Sequence, residues 1–134
     1  MGDLQEAPDI LLVEDEPLIR MCSADLLEDA GYSVIEAENA DEAIKILGAN
    51  PEVKVLFTDV KMPGNLDGLQ LARLVHERWP GVKLLVASGH HQLTDGDIPD
   101  DGRFLQKPYR PAAVLRDIGE MLSETPDRGE FTPS

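Results

Sequence analysis

Four short apolar runs each end in residues that could handle phosphate. "ILLVED" closes on Glu14 and Asp15, "VLFTD" on Asp59, "LLVAS" on Ser88 and "RFLQK" on Lys107. Three carboxylates brought together repel and raise one another's pKa values. A hard divalent cation relieves that repulsion. Mg²⁺ takes oxygen ligands and uses one or two protein carboxylates, leaving its other positions to water and phosphate oxygens. A carboxylate held beside such an ion can act as a nucleophile on phosphorus. Asp59 is the candidate, fixed at a strand end relative to Asp15, a metal ion and Lys107. Each residue also has a plainer reading. Acids after a strand commonly cap the next helix, and Glu14, Asp15 or Glu16 could do so before Pro17. Ser88 alone reads as a turn residue, Lys107 alone as a surface charge. The joint pattern, the right residue type at four separate strand ends, favours a site.

For these ends to meet, the runs must lie side by side and point the same way. Ile10–Val13, "YSVIEA", "VKVLFT", "VKLLVAS" and "RFLQ" read as strands, short and continuously apolar where they are buried on both faces. Between them lie amphipathic helices. The first starts at Pro17 and repeats Ile19, Cys22, Leu26 and Ala30 toward the interior, ending at Gly31. The second has Asn39 as N-cap, Glu42 three residues on, an apolar face of Ala40, Ile44 and Leu47, and Gly48 as its close. The third turns Leu71, Ala72, Val75 and Trp79 inward and stops before Pro80. The last starts near Pro111 with Leu115, Ile118 and Leu122 on one face. The stretch "GHHQLTDGDIPDDG", residues 89 to 102, stands where a further helix belongs, but its glycines, proline and polar residues predict a short or irregular helix and the most mobile internal segment. Alternating strands and helices argue for a doubly wound α/β fold, a parallel five-stranded sheet with helices on both faces; right-handed crossovers leave few topologies, of which the order 2-1-3-4-5 is the expected one. Ligands bind such sheets beyond the carboxyl ends of the strands where the order reverses, between strands one and three.

The composition narrows the function classes. A chain of 134 residues suits one domain. A formal net charge of −14 opposes binding to nucleic-acid backbones and anionic membranes. The single cysteine, Cys22, permits no internal disulfide and reads as a small core residue. "MGDLQEAPD" lacks the basic-then-apolar pattern of a signal peptide, and no apolar run reaches the length of a membrane span. A cytoplasmic protein is expected.

The pieces "LLVEDE", "FTDVKMPG" with "DG" after it, "VASG" and "FLQKPY", spread over residues 9 to 123, resemble a response-regulator receiver domain of two-component signalling. The resemblance implies the flavodoxin-like sheet order already given. It implies residues 1–8 as an N-terminal extension, 9–123 as the receiver domain and 124–134 as a flexible tail. Asp59 would be the phosphoacceptor, attacking a phosphohistidine of a sensor histidine kinase or histidine phosphotransfer protein. Asp15 would ligate Mg²⁺ (or Mn²⁺), Glu14 would hold a metal-bound water, and the Lys61 backbone carbonyl would be a further ligand. Lys107 would pair with a phosphoryl oxygen, Ser88 would donate its hydroxyl to another, and Phe104 would be the aromatic switch. The Lys107–Pro108 bond stands where the family often has a cis peptide. The output would be a conformational change read by an unknown downstream protein, from a stand-alone monomer or weak homodimer.

Several features depart from the commonest family pattern. Glu14 stands where Asp is frequent, Phe104 where Tyr is frequent, and the loop "MPGNLDG" is one residue longer. Lys61 and His90, each two residues beyond a site residue, edge the path of an attacking water and would tune the lifetime of the phosphoryl group. The other readings fit less well. A binding module with a dead site is opposed by the intact set of polar residues. A phosphatase with an aspartyl nucleophile normally has a general acid two residues later, where Lys61 stands. "EDEP" would repel the phosphate of a flavin carrier. Pro99 and Gln106 would occupy ligand positions of a calcium loop. His76, His90 and His91 lack metal-ligand spacing, and His76 reads as a solvated helix residue.

Overall fold

A computed structural model of the chain describes residues 8–62, 64–89, 97–99 and 102–123. Five strands, β1 (Ile10–Val13), β2 (Val34–Ala37), β3 (Val55–Asp59), β4 (Lys83–Ser88) and β5 (Arg103–Gln106), pair in parallel in the order β2-β1-β3-β4-β5. Among the described residues four α-helices join or follow them: α1 (Pro17–Asp29), α2 (Ala40–Ala49), α3 (Gly68–Arg78) and α4 (Pro111–Ser123). The register puts Val13 beside Thr58 and Asp59 beside Ala87, so the strand ends are level across the middle of the sheet.

Alternation along the buried strands divides the core in two. Leu11, Val13, Leu56, Leu84 and Val86 face α2 and α3, while Ile10, Leu12, Val55, Phe57, Leu85 and Ala87 face α1 and α4. Continuous apolar runs are therefore what a sheet covered on both faces requires. The helix starts follow local chemistry. Asn39 caps α2 by accepting from the Glu42 N–H at 2.8 Å. Asp67 and Gln70 form a reciprocal capping box on α3.

The interior faces of the helices differ in part from the sequence expectation. In α1 the buried residues are Ala24 and Leu27. Ile19 is 43% exposed, Leu18 and Met21 still more so, and Cys22 is exposed rather than a core residue. Apolar residues lie on more than one side of this helix, so their spacing fits several faces, and the docking of α1 on β1 and β2 selects among them. α2 buries Ala43 where Ile44 was expected and continues past Gly48 to Ala49. In α3, Leu71, Ala72 and Val75 are buried and Trp79 packs at the edge of the core. In α4 the face is centred on Val114, Ile118 and Met121, leaving Leu115 and Leu122 at its margin. His76 is half-buried rather than solvated, and its Nδ1 has no hydrogen-bond partner among the described residues.

Of the irregular stretch between β4 and β5, residues 90–96 and 100–101 lie outside the described residues, and His90 and His91 with them. Of the rest, Ile98 is buried in the core on the α2 and α3 side, an apolar anchor that the polar composition concealed. The expected extension, except Pro8, and the expected tail also lie outside the described residues. Among the described residues no helix is long and apolar enough to cross a membrane.

Candidate functional site

β1 and β3 are neighbours at the point where the strand order reverses. Glu14 and Asp15 follow the last residue of β1, and Asp59 is the last residue of β3. Their carboxylate oxygens converge, all within 4.8 Å of one another. Lys107, immediately after β5, reaches across: its Nζ lies 3.1 Å from Asp59 Oδ2 and 3.9 Å from Glu14 Oε1. Four of the residues picked from the sequence are thus brought together from three strands.

The surroundings fix these groups. The side chains of Asp59 and Glu14 are only 11% and 7% exposed. Burial, with the Asp59 and Asp15 charges adding to it, raises the Glu14 pKa, while a hydrogen bond from the Glu16 N–H and the charge of Lys107 oppose the rise. That N–H donates to Glu14 Oε2 at 3.1 Å. Glu16 occupies the N-cap position of α1 without a side-chain cap bond, so the plain capping reading does not describe how these acids are used. Ser88 is buried at the end of β4, and its carbonyl accepts from the Lys107 N–H at 2.8 Å. This bond ties the lysine's backbone to the strand beside Asp59. The Lys107–Pro108 peptide is cis. Phe104 lies on β5 opposite Val86, half-buried against the core rather than among the carboxylates. Lys61 is exposed in the loop after β3.

Two contributors went unread in the sequence. Gly68 opens α3 directly against the end of β3, where a methyl group would overlap the carbonyl oxygen of Asp59. Its N–H donates to the Val60 carbonyl at 2.7 Å. Thr58, fully buried, donates its hydroxyl to the same Asp59 carbonyl at 3.0 Å. The "DG" pair signals a helix start, but nothing in it says which backbone the glycine must approach.

The donor set suits a hard cation. All three groups offer carboxylate oxygen. Mg²⁺–oxygen distances of about 2.1 Å put octahedral ligand oxygens about 3 to 4 Å apart, a spacing these carboxylates reach with small movements. An ion there would also offset the repulsion that raises the Glu14 pKa.

Known proteins resemble this chain in sequence and fold. The chain is 34% identical over 116 residues to the response regulator receiver protein CpdR of Brucella abortus, covering 84% of this chain and 95% of that protein. It is 33% identical over 126 residues to the sensor kinase CckA of the same organism, covering 91% of this chain but only 13% of CckA's length. A response regulator receiver protein from Sinorhizobium medicae superposes with a TM-score of 0.80 at 28% identity, covering 90% of this chain and 98% of that one. The family described as response regulator receiver domain matches residues 10–118, from the first residue of β1 into the buried face of α4. A match of that extent, on a sheet whose central strand ends gather the acids and the lysine, makes this chain a member of the receiver-domain family of two-component signalling.

Proposed function

We propose that Asp59 accepts a phosphoryl group from a phosphohistidine of a sensor histidine kinase or histidine phosphotransfer protein, in a reaction that depends on Mg²⁺ or Mn²⁺. The observation that carries this reading is the position of Asp59: a nearly buried carboxylate at a strand end, 3.1 Å from Lys107 and within reach of two further acids. A carboxylate oxygen of Asp59 attacks phosphorus. The P–N bond breaks, and its electron pair returns to the imidazole nitrogen of the donor. Little other covalent work remains, so positioning and charge compensation govern the rate. Lys107, already against Asp59, pairs with a phosphoryl oxygen as charge builds. Asp15 and Asp59 would hold the metal ion with the Lys61 carbonyl, and Glu14 would hold one of its waters. When bound, the ion neutralises negative charge on the phosphoryl oxygens.

The product adds nearly two negative charges beside Asp59. Ser88, at the end of the neighbouring strand, would donate its hydroxyl to them, and Phe104 would follow. The surface that includes β4 and β5 would then shift between two states that a downstream protein distinguishes. Leu18, Ile19 and Met21, exposed on α1, give a donor protein apolar surface to cover close to the site. Lys61 and His90 would border the approach of water and set how long the signal lasts.

Acetyl phosphate with Mg²⁺ should add the mass of one phosphoryl group to the intact chain, trappable by borohydride. Asp59→Asn should abolish both results. Undiminished labelling of that variant would exclude Asp59. Asp15→Asn should weaken Mg²⁺ binding strongly and Glu14→Gln less so; unchanged titrations in both would move the metal site elsewhere.

A further inference from the structure

Arg20 lies in α1, outside the phosphate chemistry described above, yet its side chain runs back to the end of β1. Its Nη1 donates to the backbone carbonyl of Glu14 at 2.8 Å, and its Nε donates to Glu36 Oε1 at 3.2 Å. The side chain is 21% exposed. Glu14 lies one residue beyond the β1 ladder, where its N–H still pairs with the Ala37 carbonyl at 3.0 Å. The carbonyl that Arg20 holds belongs to the peptide unit joining Glu14 to Asp15. A peptide unit is planar and spans both Cα atoms, so a displacement of this one would carry the Cα atoms of both acids with it. Glu36, on β2 opposite Leu12, anchors the other side of the guanidinium to the sheet.

We infer that Arg20 is a positioning residue: it locks the Glu14–Asp15 peptide plane and thereby holds both acids in the geometry that binds the cation. This rests on the metal-dependent reading above. The rigid fork of the guanidinium serves both acceptors at once, which a lysine ammonium on its flexible stem does less well. Groups that orient metal ligands in this way typically change metal affinity about ten-fold or more when lost.

The test uses the full chain, with Mg²⁺ titrated by calorimetry and acetyl-phosphate labelling followed across Mg²⁺ concentrations. Arg20→Ala should weaken Mg²⁺ binding about ten-fold. The Mg²⁺ needed for half-maximal labelling should rise in step, with a smaller loss of rate at saturating Mg²⁺. Arg20→Lys should recover part of the affinity, and Glu36→Gln should show a small loss of the same kind. A lowered melting temperature with wild-type Mg²⁺ affinity in Arg20→Ala would make the residue merely structural and overturn the inference. Should Arg20→Ala fail to fold, unchanged affinity in both Arg20→Lys and Glu36→Gln would overturn it equally. If the wild-type chain itself binds no Mg²⁺, the metal reading falls and takes this inference with it. Wild-type binding with no effect of the substitutions removes the inference alone.

Discussion

Glu14 shows most directly what the site costs the fold. Burial is the first cause of its raised pKa, and the two neighbouring acids add to it. A raised carboxyl pKa means that the folded chain binds more protons than the unfolded chain just above the ordinary carboxylate range. Stability is therefore lost as pH rises through that window and stays lower at neutral pH. Without Mg²⁺, Glu14→Gln should melt higher than wild type at neutral pH, and the gap should shrink toward mildly acidic pH. Thermal unfolding at several pH values checks this, and a variant less stable at neutral pH would contradict it. On the proposed reading, Lys61 and His90 act after phosphorylation. Both side chains are bulky enough to stand in the way of the attacking water, so obstruction is their expected effect. Lys61→Ala and His90→Ala should each speed phosphate release several-fold, about 1 kcal/mol of barrier. Slower release in both would mean that they orient the water instead.

At the scale of the elements, the junction of β3 and α3 is a close one. Gly68 presses against the Asp59 carbonyl with no room for a side chain, and the Asp67 cap fixes where α3 begins. Gly68→Ala should force these two elements apart, costing about 1 to 3 kcal/mol as overpacking does, and should slow labelling of Asp59 because the strand end moves. Gly48, in α2, is the natural control: a methyl there meets nothing within 4 Å. Gly48→Ala should stabilise the chain by about 0.5 to 1 kcal/mol and leave labelling unchanged. Urea denaturation of both variants decides, and equal effects at the two glycines would refute the close-approach account.

Over the whole molecule, the charge of −14 opposes compaction through self-repulsion. The acids at the strand ends are one concentration of it, with Lys107 as the cation against them. Monovalent salt should therefore raise the thermal midpoint between about 0.01 and 0.15 M, as the screening length falls from about 30 to about 8 Å. Mg²⁺ should raise it further through the site, and Asp15→Asn should lose that second increment alone. A midpoint insensitive to monovalent salt would show that the charges are already compensated within the fold.

The sequence by itself determined the strands, their order and the convergence of Glu14, Asp15, Asp59 and Lys107. A run such as Leu11–Val13 or Leu84–Ala87 is stable only if covered on both faces, and covering every such run with the intervening helices leaves few topologies. That topology sends Asp15, Asp59 and Lys107 to one edge whatever the details of packing. What only the tertiary structure decided concerns contacts between elements distant in sequence. Spacing alone admitted several inward faces for α1, and its seat on the sheet exposed Cys22 and Ile19 while burying Ala24 and Leu27. Ile98 is a core residue through its packing in the cluster on the α2 and α3 side, far from it in sequence. Gly68 and Arg20 matter through single backbone carbonyls, those of Asp59 and Glu14. A carbonyl is common to every residue and leaves no mark in the pattern of side chains, so only the folded chain reveals which one must be approached.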